Sequence, residues 1–381
     1  MKPSPQALAT WITIGLFCGG ACFAASVRAP SWNRQGAADY LDQRAAWWAS
    51  WPGAARDNGT FCVSCHTALP YALARPALGR QLAEKTPPEG ERKLLESVVK
   101  RVRGWNEVKP FYNDRVGPDK SLQSRGTESV LNALILAMRD KDQGKPGGDT
   151  RMAFQNMWAT QTPAGADRGS WPWLDFGNRP FEANDSVFYG ACLAAVAAGA
   201  AREEIPYTPD TQAKVKMLVD YIGREYQKQS VINQAVLLWS SAELPGLLAR
   251  DRQTAIVDTL FGKQQADGGW VLSSLAWSWE GVTPKSLVKL WVRSEDTPFA
   301  GRSDGYATGF IAFALEKYGV PRDNQHLQRA LDWLVRNQKA NDGRWVGYSP
   351  NHGPEPSSPT GLFMSDAATA YSVLALIDSG R

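Results

Sequence analysis

Cys62, Cys65 and His66 fall in the stretch from Phe61 to His66 and spell Cys-x-x-Cys-His. Two thiols at this spacing can add across the vinyl groups of a haem, and the adjacent histidine can ligate its iron. The pattern predicts covalently bound haem c, with iron, held by Cys62, Cys65 and His66, and a role in electron transfer or redox chemistry. The same residues admit a Cys62–Cys65 disulfide or part of a zinc site. Zinc would need further ligands, and beyond Cys192 only His326 and His352 remain. For the sixth iron position Met364 is the preferred ligand and His352 the next, with an open position as the third choice. Packing of Met364 on aromatic neighbours such as Phe363 is its structural alternative. Cys192 lies in the apolar stretch Tyr189 to Ala197 and reads as a buried small hydrophobe. His326 lies on a charged helix and reads as a surface residue.

The elements that must position these residues are helices in pairs. Residues 37–50 read as a helix, and a second runs from near the Cys-x-x-Cys-His stretch to Leu82. The pattern recurs as 91–105 with 126–139, 150–160 with 184–199, 210–226 with 231–248, 251–265 with 304–318, and 324–338 with 365–378. In most pairs the first helix carries a charged face and the second is rich in small apolar residues. A helix apolar all round must be buried, whereas one with a polar face can sit outside. The expectation is an all-α protein with six inner helices inside six outer ones, closed as a toroid or open as a solenoid.

The links between pairs repeat as well. Gln264 leads to Gly268 and Trp270, Gln338 to Gly343 and Trp345, and, with a longer insert, Gln161 to Gly169 and Trp171. Glycine permits left-handed turn geometry, the indole can cover a helix end, and the amide can bond freed backbone groups. These turns, followed by Asp304 with Thr308 and by Asp366 with Thr369, resemble the squalene–hopene cyclase and prenyltransferase superfamily. The resemblance implies an (α/α)6 toroid with inner-helix N-termini around the mouth of a central cavity. In such a ring the sixth inner helix neighbours the first, which brings Met364 toward the Cys-x-x-Cys-His stretch. The resemblance also implies a cyclase-like enzyme, or a binding module for an isoprenoid or other apolar ligand, as the alternative to haem chemistry. The cyclases' Asp-rich proton donor has no copy here; Ser294-Glu295-Asp296-Thr297 is the nearest string.

Glu128, Asp185, Asp304 and Asp366 stand where helix N-caps or first-turn acids belong, and that structural role is expected of them. Trp171, Trp173, Phe176, Trp277, Trp279 and Trp291 can line a pocket, although packing is the expected role for most. The segment from Ser274 to Ser303 is long for a loop in a compact domain and is the candidate contact for a substrate or partner.

Composition bounds the rest. The chain has 381 residues, 43% hydrophobic and 21% charged, with a net charge of +4 and no Lys/Arg block suited to nucleic acid. Residues 1–25 read as a signal peptide: the apolar run from Trp11 to Ala24 is followed by small residues and is short for a bilayer span. Cys18 and Cys22 are weaker lipidation candidates. The expectation is a periplasmic or otherwise exported protein with no stable transmembrane span in its mature chain. Its domain would cover 37–381, with a redox protein or an apolar small molecule as partner.

Overall fold

The computed structural model describes residues 1, 31–144, 147–203, 205–276, 302–351, 355 and 357–381. The expected signal peptide, His352, Trp277, Trp279, Trp291, the string from Ser294 to Thr297 and most of the segment 274–303 lie outside them. Among the described residues twelve long helices form six pairs: α1 (Arg34–Ser50) with α2 (Ala68–Gln81), α3 (Glu89–Arg103) with α4 (Lys120–Gln143), and α5 (Gly148–Ala159) with α6 (Ser186–Ala200). The series continues as α7 (Pro209–Glu225) with α8 (Val231–Glu243), α9 (Arg250–Gly262) with α10 (Gly305–Tyr318), and α11 (Gln325–Asn337) with α12 (Phe363–Asp378).

Sequence explains which helix goes where. On α3, Leu94, Val98 and Val102 recur at helical spacing and are buried, while lysines, arginines and glutamates take the outer face. Its acids Glu89 and Glu91 open the first turn and its bases close the last, each matching the helix dipole. By contrast α6 is almost entirely Ala, Gly and small side chains and is buried on nearly every face. Small residues let its backbone approach its neighbours closely. A Cβ on Gly190 would stand 2.1 Å from the Trp173 ring. The even-numbered helices pack in sequence from α2 round to α12, and α12 packs on α2. The architecture is therefore an all-α (α/α)6 toroid, as the helix pairing predicts.

The repeated turns are clamps. Trp171, Trp270 and Trp345 are fully buried, and each donates its indole N–H to the outer helix just completed, at Met157 O (2.7 Å), Leu260 O (2.8 Å) and Leu334 O (2.7 Å). Each glutamine amide bonds its own turn and also the next outer helix. Gln161 reaches Lys214 O, and Gln264 reaches His326 O. Gln338 reaches Asn33 O at 2.9 Å and accepts from Asn33 N, so the last turn of the chain clamps the first helix and closes the ring. His326 belongs to this device rather than to open surface. It is half-buried, stacks on Phe261 at 4.3 Å, and bonds Gln264 Oε1 through Nδ1.

Candidate functional site

The Cys-x-x-Cys-His loop is built into the rim of the ring. Cys62 N donates to Ala54 O, the Trp48 indole donates to Cys62 O, and Phe61 N donates to Ser97 Oγ. Ser64 accepts from Thr67 N and Ala68 N and so starts α2. Beneath the loop, the wholly buried Arg101 pairs with Glu128 and also donates to Thr60 Oγ1, Asp57 and Lys109 O. Buried charges of this kind persist only when their hydrogen-bonding capacity is filled, and here it is.

The loop meets the start of α12, as the closed ring requires. Asp366 accepts from Arg44, Tyr40 and Thr67 Oγ1, the last at 2.7 Å. With the Thr67 hydrogen committed to that carboxylate, the 2.9 Å bond from His66 Nδ1 to Thr67 Oγ1 places the imidazole proton on Nδ1. The His66 ring stacks on Phe363 with centroids 3.8 Å apart and meets Trp48 edge-on at 5.2 Å. Burial, aided by the nearby Arg44 charge, lowers its pKa to about 3, so it is a neutral imidazole. Met364 is buried next to Phe363, with its backbone against Gly347. Cys62, Cys65 and Cys192 are buried free thiols. Burial pushes Cys62 up to about 12 and Cys65 well above the ordinary thiol range, so both stay protonated.

Beside this loop Glu182 lies within electrostatic reach of Cys62, Cys65 and Tyr112. Cys65 is within electrostatic reach of Tyr189 on α6, Tyr306 on α10 and Tyr371 on α12. Glu182 belongs to a tight hairpin between Trp173 and Asp185, in which Asn178 and Glu182 exchange backbone hydrogen bonds. Its outer limb is pinned to α4: Lys120 donates to Asp175 O, and Thr127 Oγ1 accepts from Leu174 N. Its inner limb carries Glu182, which keeps some solvent contact although protein surrounds its carboxyl. Burial raises that carboxyl to about 7, with the Lys120 charge opposing the shift. The half-exposed rings of Tyr112 and Phe176 meet edge-to-face at 5.0 Å on the rim, with the Lys120 ammonium over Phe176.

The expected site residues thus separate. His66 stacks on Phe363, the residue before Met364, where the first and last inner helices meet, and the acids at inner-helix starts have structural work. Asp304 caps α10 through Tyr306 N and Ala307 N and also accepts from Leu272 N. Asp185 is paired with Arg179, and Glu128 with Arg101. Trp171 and Trp173 are packing residues, whereas Phe176 is on the rim. Glu182 was not foreseen: Phe-Glu-Ala-Asn carries no motif, and the only hint was the aromatic cluster just before it.

No protein-family model matches the chain, and no curated protein sequence does. Among solved structures the chain is similar to the α-1,6-mannanase GH76A of Salegentibacter sp. HEL1_6 in complex with α-1,6-mannotriose. The TM-score is 0.51 and the identity 10%, over 91% of this chain and 100% of that one. The same mannanase in complex with α-1,6-mannotetrose aligns with a TM-score of 0.51 and 11% identity over 91% and 99%. Identity this low establishes the toroid fold alone. These neighbours correct the resemblance to squalene–hopene cyclases and prenyltransferases, because the Gln-Gly-Trp turns are a ring-closing device that serves the fold and not one reaction. The isoprenoid or apolar-ligand alternative is corrected with it. The expectation of haem c, iron and electron transfer is corrected as well. The toroids found are mannanases, and among the described residues no group of three or more His, Cys, Asp or Glu could hold a metal. Physically, one face of His66 is covered by Phe363, and the Cys62 and Cys65 thiols are packed into the core.

Proposed function

We propose that this chain is a carbohydrate-active protein that binds an α-mannan-type glycan beside the Glu182 hairpin and hydrolyses a glycosidic bond there, with Glu182 as proton donor. The observation that carries this reading is the Glu182 carboxyl, which lies near Cys62 and Cys65 on a partly exposed residue and is raised to about 7 by burial. A glycosidase acid must remain protonated near neutral pH so that it can deliver its proton to the leaving oxygen. The toroid neighbours, described as α-1,6-mannanases with mannose oligosaccharides bound, support the substrate class. Both are described as inactive through replacement of two adjacent aspartates, and this sequence contains no adjacent aspartate pair. The acids here are therefore its own. Asp175, on the other limb of the same hairpin, is the candidate second carboxylate. The partly exposed rings of Tyr112 and Phe176 are the candidate contacts for a sugar. Export, expected from residues 1–25, belongs to this reading, since a polymeric glycan is met outside the cytoplasm.

The test is reducing-end release from α-1,6-mannan and its oligosaccharides by the wild-type chain and by Glu182→Gln. Loss of about 100-fold or more in kcat, with circular dichroism unchanged, is the expected result. Turnover that survives the substitution would exclude Glu182 as the acid.

A further inference from the structure

At the opposite end of the ring from His66 and Phe363, a cavity of about 330 Å³ opens between α2, α3, α4, α10 and α12. Arg80, Gln143, Lys317 and Asp378 all line it, so four inner helices reach it with their last turns. Converging helix C-termini place partial negative charge there. Leu73, Leu95, Ile135, Met138 and Leu374 supply an apolar wall, and the exposed residues 84–87 of the α2–α3 link form the mouth. Charges around the cavity do not balance. Arg75 is 2% exposed, and both oxygens of Asp42 and of Glu84 accept from it at distances between 2.7 and 3.0 Å. Glu91 is a third carboxylate within electrostatic reach of Arg75, and it makes no ion pair with any described residue. Burial, aided by Asp42 and Glu84, pushes the Glu91 carboxyl above its ordinary range, with the Arg75 and Arg80 charges opposing. The lining bases Arg80, Arg139 and Lys317 are already committed to Asp142, Asp140 and Asp378, and Lys85 is exposed at the mouth. One buried guanidinium thus faces three carboxylates.

We infer that this cavity is a binding site for a primary alkylammonium ion, with its chain on the apolar wall and its charge beside Glu91. An ammonium supplies the positive charge that Arg75 alone does not. Its three N–H donors match a carboxylate and helix C-terminal carbonyls, all of which are acceptors. A quaternary ammonium has no N–H to give and is held instead by aromatic faces, and none of the lining residues is aromatic. An anion would meet Glu84, Glu91, Asp142 and Asp378 on the same wall. This site shares no residue with the proposed glycan site, and it stands whether or not mannan is the substrate.

The experiment is calorimetric titration of the full-length chain with n-hexylammonium chloride, n-hexyltrimethylammonium chloride, 1-hexanol and sodium hexanoate, repeated on Glu91→Gln with its fold checked by circular dichroism. The expected result is that n-hexylammonium binds the wild-type chain at least about 10-fold more tightly than each of the other three. Glu91→Gln should bring n-hexylammonium to within about threefold of 1-hexanol and leave the 1-hexanol affinity unchanged. Equal binding of ammonium and alcohol, or a preference for hexanoate, would overturn the cation site on the wild-type chain alone. Equal binding of the trimethylated ion would overturn the primary-amine class. A preference for n-hexylammonium that survives Glu91→Gln would overturn the placement of the charge in this cavity, and binding of none of the four would overturn the site.

Discussion

Glu182 at the mouth and Glu316 at the far end of α10 are both driven toward their protonated forms by burial, to about 7 and about 9. Both Glu316 carboxyl oxygens are buried without a hydrogen-bond partner, and the Asp378 charge adds to the shift. A carboxyl whose folded pKa lies above its unfolded value stabilises the fold fully below the unfolded pKa, near 4.5. That contribution is lost as pH rises toward the folded value. Stability is therefore expected to fall between about pH 4.5 and pH 9, and Glu316→Gln to remove part of that slope. Urea unfolding at pH 5 and pH 9 measures it: the variant should gain about 1 kcal/mol or more over wild type at pH 9 and little at pH 5. For Glu182 the same sign gives an activity limb. On the proposed reading, kcat/KM should decline above about pH 7 as the donor loses its proton. The Cys-x-x-Cys-His letters were plain in the sequence, whereas Glu182 was not. A glutamate acquires its character from what buries it, and residues distant in the chain do that.

The three clamps show how a local pattern is converted into packing. Gly169, Gly268 and Gly343 all have positive φ, at +99°, +98° and +74°. Each presses on the backbone of the next outer helix: a Cβ on Gly268 would stand 2.6 Å from Arg329 O, and one on Gly343 would stand 2.1 Å from the Gly36 carbonyl carbon. Gly268→Ala therefore meets both a left-handed backbone and a contact with main chain that cannot swing away. It should cost about 2–4 kcal/mol, read as a shift in the urea midpoint with unchanged m. A change below about 0.5 kcal/mol would show that the turn is not the rigid clamp described here. The glutamine, glycine and tryptophan of this element were legible in advance because each acts on its own turn or the helix just before it. Its second contact, with the following outer helix, could be anticipated only as a clamp of unstated geometry.

At the scale of the whole molecule the ring has one seam, where the last clamp grips the first helix. Gln338 donates to both Asn33 O and Gly343 O and accepts from Asn33 N. Elsewhere in the ring covalent chain supports such contacts, but at the seam it does not. Gln338→Ala should thus speed amide hydrogen exchange at the start of α1 by about 10-fold or more while leaving α5 to α8 unchanged. A uniform increase would mean that the ring opens as one unit and not at its seam.

The sequence by itself determined that this protein is a series of six helix pairs, closed as a toroid or open as a solenoid. Charged and small-residue helices alternate along the chain, and the Gln-Gly-Trp turns carry their own geometry. Closure of the ring, which brings residues 62–66 to the start of the last inner helix, is a property of the tertiary structure. What those residues are for was decided only by tertiary structure. Packing covers one face of His66 with Phe363 and keeps both thiols protonated in the core, and it buries the carboxyl of an unremarked glutamate. Spacing along a chain reports which atoms can come together. Burial, which sets what they can do, is a property of everything folded around them.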